Sequence, residues 1–257
     1  MNSKRFLIRL QFLGLRYHGV QKQVNHQTIQ GRLEQTLSAA FKEEELKTRF
    51  SSRTDAMVSA EESFCLLMFN NPQSQSSVES ALTKLPPDIL ALEVKAVEEN
   101  FTLLKKTKVK TYRYFFSHGQ SKPHVFAAPY MTILNEELDI ELMKEGVNLF
   151  LGTHHFENYC YKPKEGTSFK RTIESVRVIE NTFLTANFFP DQSFVFEVSS
   201  TGFMRGQVRL MMGSLFRLGK KEITLSELRS SLKSADPSFV KWMVPSSGLI
   251  LHKTELE

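Results

Sequence analysis

The chain has 257 residues, with 41% hydrophobic and 24% charged residues and a formal net charge of +5, the make-up of an ordinary globular protein large enough for one big core or two smaller ones. Two cysteines exclude a disulfide framework, and no apolar run approaches the length of a membrane span. The modest basic excess permits an anionic partner without requiring one.

Met1-Asn2-Ser3-Lys4-Arg5 lacks the layout of a signal peptide and runs straight into a strand pattern, so the cytoplasm is the expected compartment. Residues 5–13 alternate, with Phe6, Ile8, Leu10 and Phe12 on one face. Ile29, Leu33, Leu37 and Phe41 recur at helical spacing. Strand-like runs follow at 46–50 and 64–69; the second makes Cys65 a buried, inert thiol. A helix over 78–85 stops at Pro86-Pro87, and residues 90–97 return to strand. The order strand, helix, strand, strand, helix, strand is that of a ferredoxin-like unit.

A related order recurs: a strand at 109–117, a helix over 138–151, strands within 173–188 and 194–199, helices over 203–218 and 225–232, and a last strand at 248–252. The expectation is an α+β chain of two ferredoxin-like domains, 1–104 and 105–257. Their antiparallel sheets would join side by side, with a cleft between them.

Three features suggest chemistry. Asp55 lies in Ser52-Arg53-Thr54-Asp55, straight after a strand; a carboxylate there can act as nucleophile, base or orienting charge. Inside a pocket it needs a cation to stay ionised, and an arginine fork is the best one. Arg209, on the helix predicted over 203–218, is the candidate, with Arg205 one turn before it; a solvated basic edge is the ordinary reading of that helix taken alone. Gly213 inside the same helix implies close approach by another backbone. Tyr112 and Tyr114 share a strand face: one suits a base-contacting role, the other core packing. Lys105, Lys106, Lys108 and Lys110 form either a solvated linker or a phosphate track. His154, His155 and Cys160 lack the spacing of a metal site. Neither a Walker loop, a Gly-x-Gly-x-x-Gly loop nor a nucleophile elbow is present.

Taken in order, several segments resemble the tRNA pseudouridine synthases that act on the anticodon stem-loop. They are Phe12-Leu13-Gly14…His18-Gly19-Val20-Gln21-Lys22-Gln23, Ser52-Arg53-Thr54-Asp55, Leu85-Pro86-Pro87-Asp88-Ile89, Tyr112-Arg113-Tyr114, Gly152-Thr153-His154-His155-Phe156, Arg171-Thr172-Ile173, Val208-Arg209…Gly213 and Gly248-Leu249…Leu251. The resemblance implies isomerisation of uridine to pseudouridine in tRNA, at positions 38–40, by a cofactor-free and metal-free homodimer. It implies that Asp55 is catalytic, that Tyr112 packs on the flipped uracil and moves a proton, and that Arg209 pairs with Asp55. Arg53 would help extrude the base, and Arg205 and the four lysines would contact RNA. Ser52, Met57 and Ser59 replace the family's glycine, glycine and histidine around Asp55. Leu13, Val20 and His155 depart elsewhere, and Phe101-Thr102-Leu103-Leu104 lacks the family's arginine. The Arg53, Asp55, Tyr112, Arg209 set is intact. Two alternatives stand beside this: a catalytically weak or inactive RNA-binding relative or tRNA folding aid, and an unrelated α+β domain with incidental basic patches.

Overall fold

The computed structural model describes residues 2–42, 46–119, 124–236 and 238–257. The chain is mixed α/β and rich in sheet. It divides into two compact units: residues up to Lys108 together with Ile250–Glu257, and Val109–Leu249.

In the first unit, β1 (Asn2–Phe12) buries the alternating Phe6, Ile8, Leu10 and Phe12. The α1 helix (Ile29–Phe41) starts where Thr28 Oγ1 accepts from the Gly31 amide at 3.1 Å, and it buries Ile29, Leu33 and Leu37. Then come β2 (Lys47–Phe50), β3 (Ser59–Ser74), α2 (Gln75–Leu82) and β4 (Ile89–Ala96). The β3 strand is much longer than the apolar run 64–69 foretold, because its polar first residues pair with β1 and its polar end with Asn2 and Ser3. The strand order is β4-β1-β3-β2, antiparallel throughout. A final strand, β10 (Leu249–Leu256), adds in parallel, setting Ile250 opposite Ser59 and Leu251 opposite Ala60. A short turn of helix, α3 (Leu103–Lys106), precedes β5 (Thr107–Ser117).

The second unit holds β6 (Thr132–Ile133), α4 (Ile140–Val147), β7 (Gly152–His155), β8 (Lys170–Glu180), β9 (Phe194–Ser200), α5 (Gln207–Gly219) and α6 (Leu225–Ser230). Antiparallel pairing runs β5-β9-β8-β7, with β6 parallel to β5. Its core is aromatic. Phe116 stacks on Phe194 and meets Phe216 of α5 edge-on, at centroid distances of 5.6 and 5.2 Å. The α5 helix starts at Gln207, not at 203, because Gly206 is left-handed (φ +69°) and closes the turn before it. Arg205 therefore lies in that turn, off the helix. Among the described residues, no helix is long and apolar enough to cross a membrane.

Candidate active site

The loop around Asp55 is pinned by backbone. Ser51 N–H bonds to the Phe64 carbonyl at 2.8 Å, and the Ser51 hydroxyl accepts from the Phe64 amide at 3.2 Å. On the other side the segment after β1 holds it: Met57 N–H donates to the Tyr17 carbonyl (3.0 Å), and Val20 N–H to the Thr54 carbonyl (3.3 Å). Gly19 (φ +88°) makes this approach possible, since a Cβ there would stand 3.1 Å from the Asp55 carbonyl carbon. Within the loop, Val58 N–H closes a turn onto the Asp55 carbonyl at 3.3 Å. Asp55 ends up half-buried with Arg53 exposed beside it. The Ser52 and Thr54 hydroxyls are buried, with no hydrogen-bond partner among the described residues.

The family departures have local accounts. Met57, where the family has glycine, keeps a left-handed backbone (φ +68°). Ser59, where the family has histidine, accepts from the Gly14 amide at 2.9 Å, which ties the segment after β1 to the start of β3. Ser52 leaves a buried hydroxyl, and nothing in the structure explains that choice.

Asp88 of Leu85-Pro86-Pro87-Asp88-Ile89 braces the same segment, a role that its sequence context did not reveal. Its carboxylate accepts from the Tyr17 hydroxyl and from Arg16 Nε, each at 2.9 Å, and its carbonyl accepts from Leu13 N–H at 2.9 Å. Burial would raise the Asp88 carboxyl, but the Arg16 and Tyr17 hydrogen bonds outweigh it and hold it below the ordinary carboxylate range.

In the second unit both tyrosines of β5 are buried, with different partners. Tyr114 is fully buried, its hydroxyl donating to the Pro245 carbonyl (2.8 Å) and bonded to the Thr132 hydroxyl (2.6 Å). Burial pushes its phenol far up from the ordinary tyrosine value. Tyr112 instead sets its ring edge-on to Phe203 at 5.3 Å, just ahead of the turn into α5. On the opposite face of the strand, Arg113 donates to Glu197 (2.7 Å), which also accepts from Arg177 Nε (2.9 Å). Arg209 is half-buried on α5, and its Nε donates to the Val244 carbonyl at 2.7 Å. One turn later Gly213 lets the Trp242 carbonyl sit directly against the helix.

The lysines are less uniform than a track would be. Lys106 and Lys108 both approach Glu257, at 3.4 and 3.6 Å, whereas Lys105 is exposed on α3 and Lys110 is half-buried on β5. Arg205 is exposed. Asp55 and Arg53 thus belong to the first unit with Lys105, Lys106 and Lys108, and Tyr112, Arg209, Arg205 and Lys110 to the second. No group of three or more metal-ligating side chains occurs among the described residues.

A family model described as tRNA pseudouridine synthase matches residues 147–255. The tRNA pseudouridine synthase A of Clostridium kluyveri is 30% identical over 251 residues, covering 97% of this chain and 98% of that protein. That of Dictyoglomus thermophilum is 29% identical over 253 residues, covering 96% and 98%. A solved H/ACA RNP bound to a substrate RNA containing 2′-deoxyuridine aligns with 74% of this chain and 40% of its own, at 13% identity and a TM-score of 0.32, too low to support any argument. The chain belongs to the tRNA pseudouridine synthase family and is by class an isomerase, an intramolecular transferase.

Proposed function

We propose that the chain converts uridine to pseudouridine in tRNA, at positions 38–40 of the anticodon stem-loop, as a cytoplasmic homodimer. The observation that carries this is the Asp55 loop: a half-buried carboxylate on a backbone held from β3 and from the segment after β1, with an exposed Arg53 next to it. A stacked uridine hides its glycosidic bond, so the base must leave the helix first; in this reading the exposed Arg53 fills the space it vacates. The bond from ribose C1′ to N1 then breaks and a bond from C1′ to C5 forms. N1 gains a proton and C5 loses one, so atoms and electrons balance within the substrate.

In this reading Asp55 acts at the sugar–base bond, as nucleophile or base. Arg209 keeps it ionised, and Tyr112 lies against the uracil and assists proton transfer. Tyr112 is buried like Tyr114, but its ring packs on Phe203 just ahead of α5 where the Tyr114 hydroxyl is held by the Pro245 carbonyl, and that difference supports the assignment. We further assign the halves 1–104 and 105–257 as ferredoxin-like domains; the strand order β4-β1-β3-β2 supports this for the first. Lys105, Lys106, Lys108, Lys110 and Arg205 would meet phosphates, giving salt-sensitive binding.

Pseudouridine mapping in tRNA from cells with and without the protein tests the proposal. Loss at the anticodon stem-loop uridines is expected. An unchanged map would leave the alternative of an RNA-binding protein without catalysis.

A further inference from the structure

The second unit carries an exposed aromatic ring, so far unassigned, with two cations close to it. Tyr161 is 38% exposed, although the preceding Tyr159 and Cys160 are buried. The Arg205 guanidinium and the Lys162 ammonium each lie 5.3 Å from its ring centroid, within the range of a cation–π contact.

The arrangement is built into the backbone. Tyr161 N–H donates to the Arg205 carbonyl at 2.9 Å. The next residue, Gly206, is left-handed, and a Cβ there would stand 3.2 Å from Tyr161 Cβ and 2.9 Å from Met243 Cε. The turn before α5 therefore packs on the Tyr161 segment without room for a side chain at 206. Lys162 has φ +46°, a conformation uncommon for a residue other than glycine. The ring is thus fixed to the foot of the helix that carries Arg209.

No carboxylate among the described residues pairs with Arg205 or Lys162. Lys164 and Lys170 are exposed nearby in sequence, and the Cys160 thiol, raised chiefly by burial, feels Lys241, Arg171 and Arg205 pulling the other way. Glu157 is engaged by His155 at 2.9 Å. A partly exposed ring flanked by cations that have no carboxylate partner among the described residues fits an unpaired nucleotide: the base stacks on the exposed part of the ring and the phosphates meet the cations.

We propose that Tyr161 is a stacking platform for one unpaired base of the RNA substrate, with Arg205 and Lys162 holding its flanking phosphates. This rests on the proposed function in taking RNA as the ligand. The experiment is fluorescence anisotropy of labelled tRNA titrated with the full chain over a series of salt concentrations. Tyr161→Ala and Tyr161→Leu should each weaken binding about tenfold at fixed salt, with the salt slope kept, and Tyr161→Phe should bind as wild type does. The double variant Arg205→Gln, Lys162→Gln should flatten the slope of log K against log salt by about 1.5. Wild-type binding with Tyr161→Leu and Tyr161→Ala equally tight overturns this inference alone. So does a loss in Tyr161→Phe as large as in Tyr161→Ala; an unchanged slope in the double variant overturns it together with the assignment of Arg205 to phosphate. Wild type that binds no tRNA at all overturns the proposed function with it.

Discussion

Replacing Gly213 by alanine sets two known effects against each other. Alanine in a helix interior is worth about 1 kcal/mol over glycine. Against that, a Cβ at 213 would overlap the Trp242 carbonyl oxygen and come within 2.9 Å of its carbon. The obstacle is backbone, which cannot rotate aside as a side chain can, and overpacking of this kind costs about 1–3 kcal/mol, occasionally more. With a backbone atom overlapped outright the cost lies at the upper end, about 3 kcal/mol, so the clash should win by roughly 2 kcal/mol, a fall in Tm of roughly 4–8 °C for a chain of this size. Because Val244, two residues beyond Trp242, holds Arg209 Nε, pseudouridine formation should fall as well. Thermal melts and urea denaturation with an activity assay on the same preparation measure both effects. A Gly213→Ala protein as stable as wild type or more so, with full activity, would refute the reasoning.

Glu197→Ala strands the nearly buried Arg113 guanidinium without its carboxylate and should cost about 3 kcal/mol by urea denaturation. Burial would raise the Glu197 carboxyl, but Arg113 and Arg177 outweigh it and depress it. Its contribution is therefore complete above the unfolded glutamate value of about 4.3 and is lost as pH falls through the folded value; wild type should lose stability below that pH faster than Glu197→Gln. Asp88→Ala leaves the buried Tyr17 hydroxyl without its acceptor; the exposed Arg16 arm adds little, so a loss of about 1–3 kcal/mol is expected in the same assay. Met57→Gly relieves a left-handed strain of about 1–2 kcal/mol at some cost in chain entropy, so stability should hold or rise slightly. Met57→Val should lose stability, and equal melting of the two variants would contradict the assignment.

Most elements of the first half could be read from side-chain period, because β1 and α1 each bury one face and β4 follows a proline stop. The long β3 could not, since its register depends on β1, far away in sequence. The β7 strand, Gly152-Thr153-His154-His155, shows no apolar alternation and is defined by its partner β8. The start of α5 was misplaced because helical spacing continues through Met204 and Arg205, while the backbone of Gly206 breaks it. The close packing at Gly213 was legible, since a glycine in a helix body needs a reason. The brace from Asp88 to Tyr17 and the backing of the Asp55 loop by Gly19 join segments far apart in sequence, so no local pattern announces them. Tyr161 carries no signal in the sequence, because Arg205 lies far along the chain and reaches the ring only through the turn at Gly206.

The account depends most on Asp55. Purified wild type and Asp55→Asn should be incubated with the same tRNA, and pseudouridine counted at each uridine of the anticodon stem-loop. The substitution keeps the shape and removes the charge. The expected result is conversion by wild type and none by Asp55→Asn, with both proteins equally folded and binding tRNA alike. Equal conversion by the two proteins, or no conversion by either despite tight binding, would contradict it.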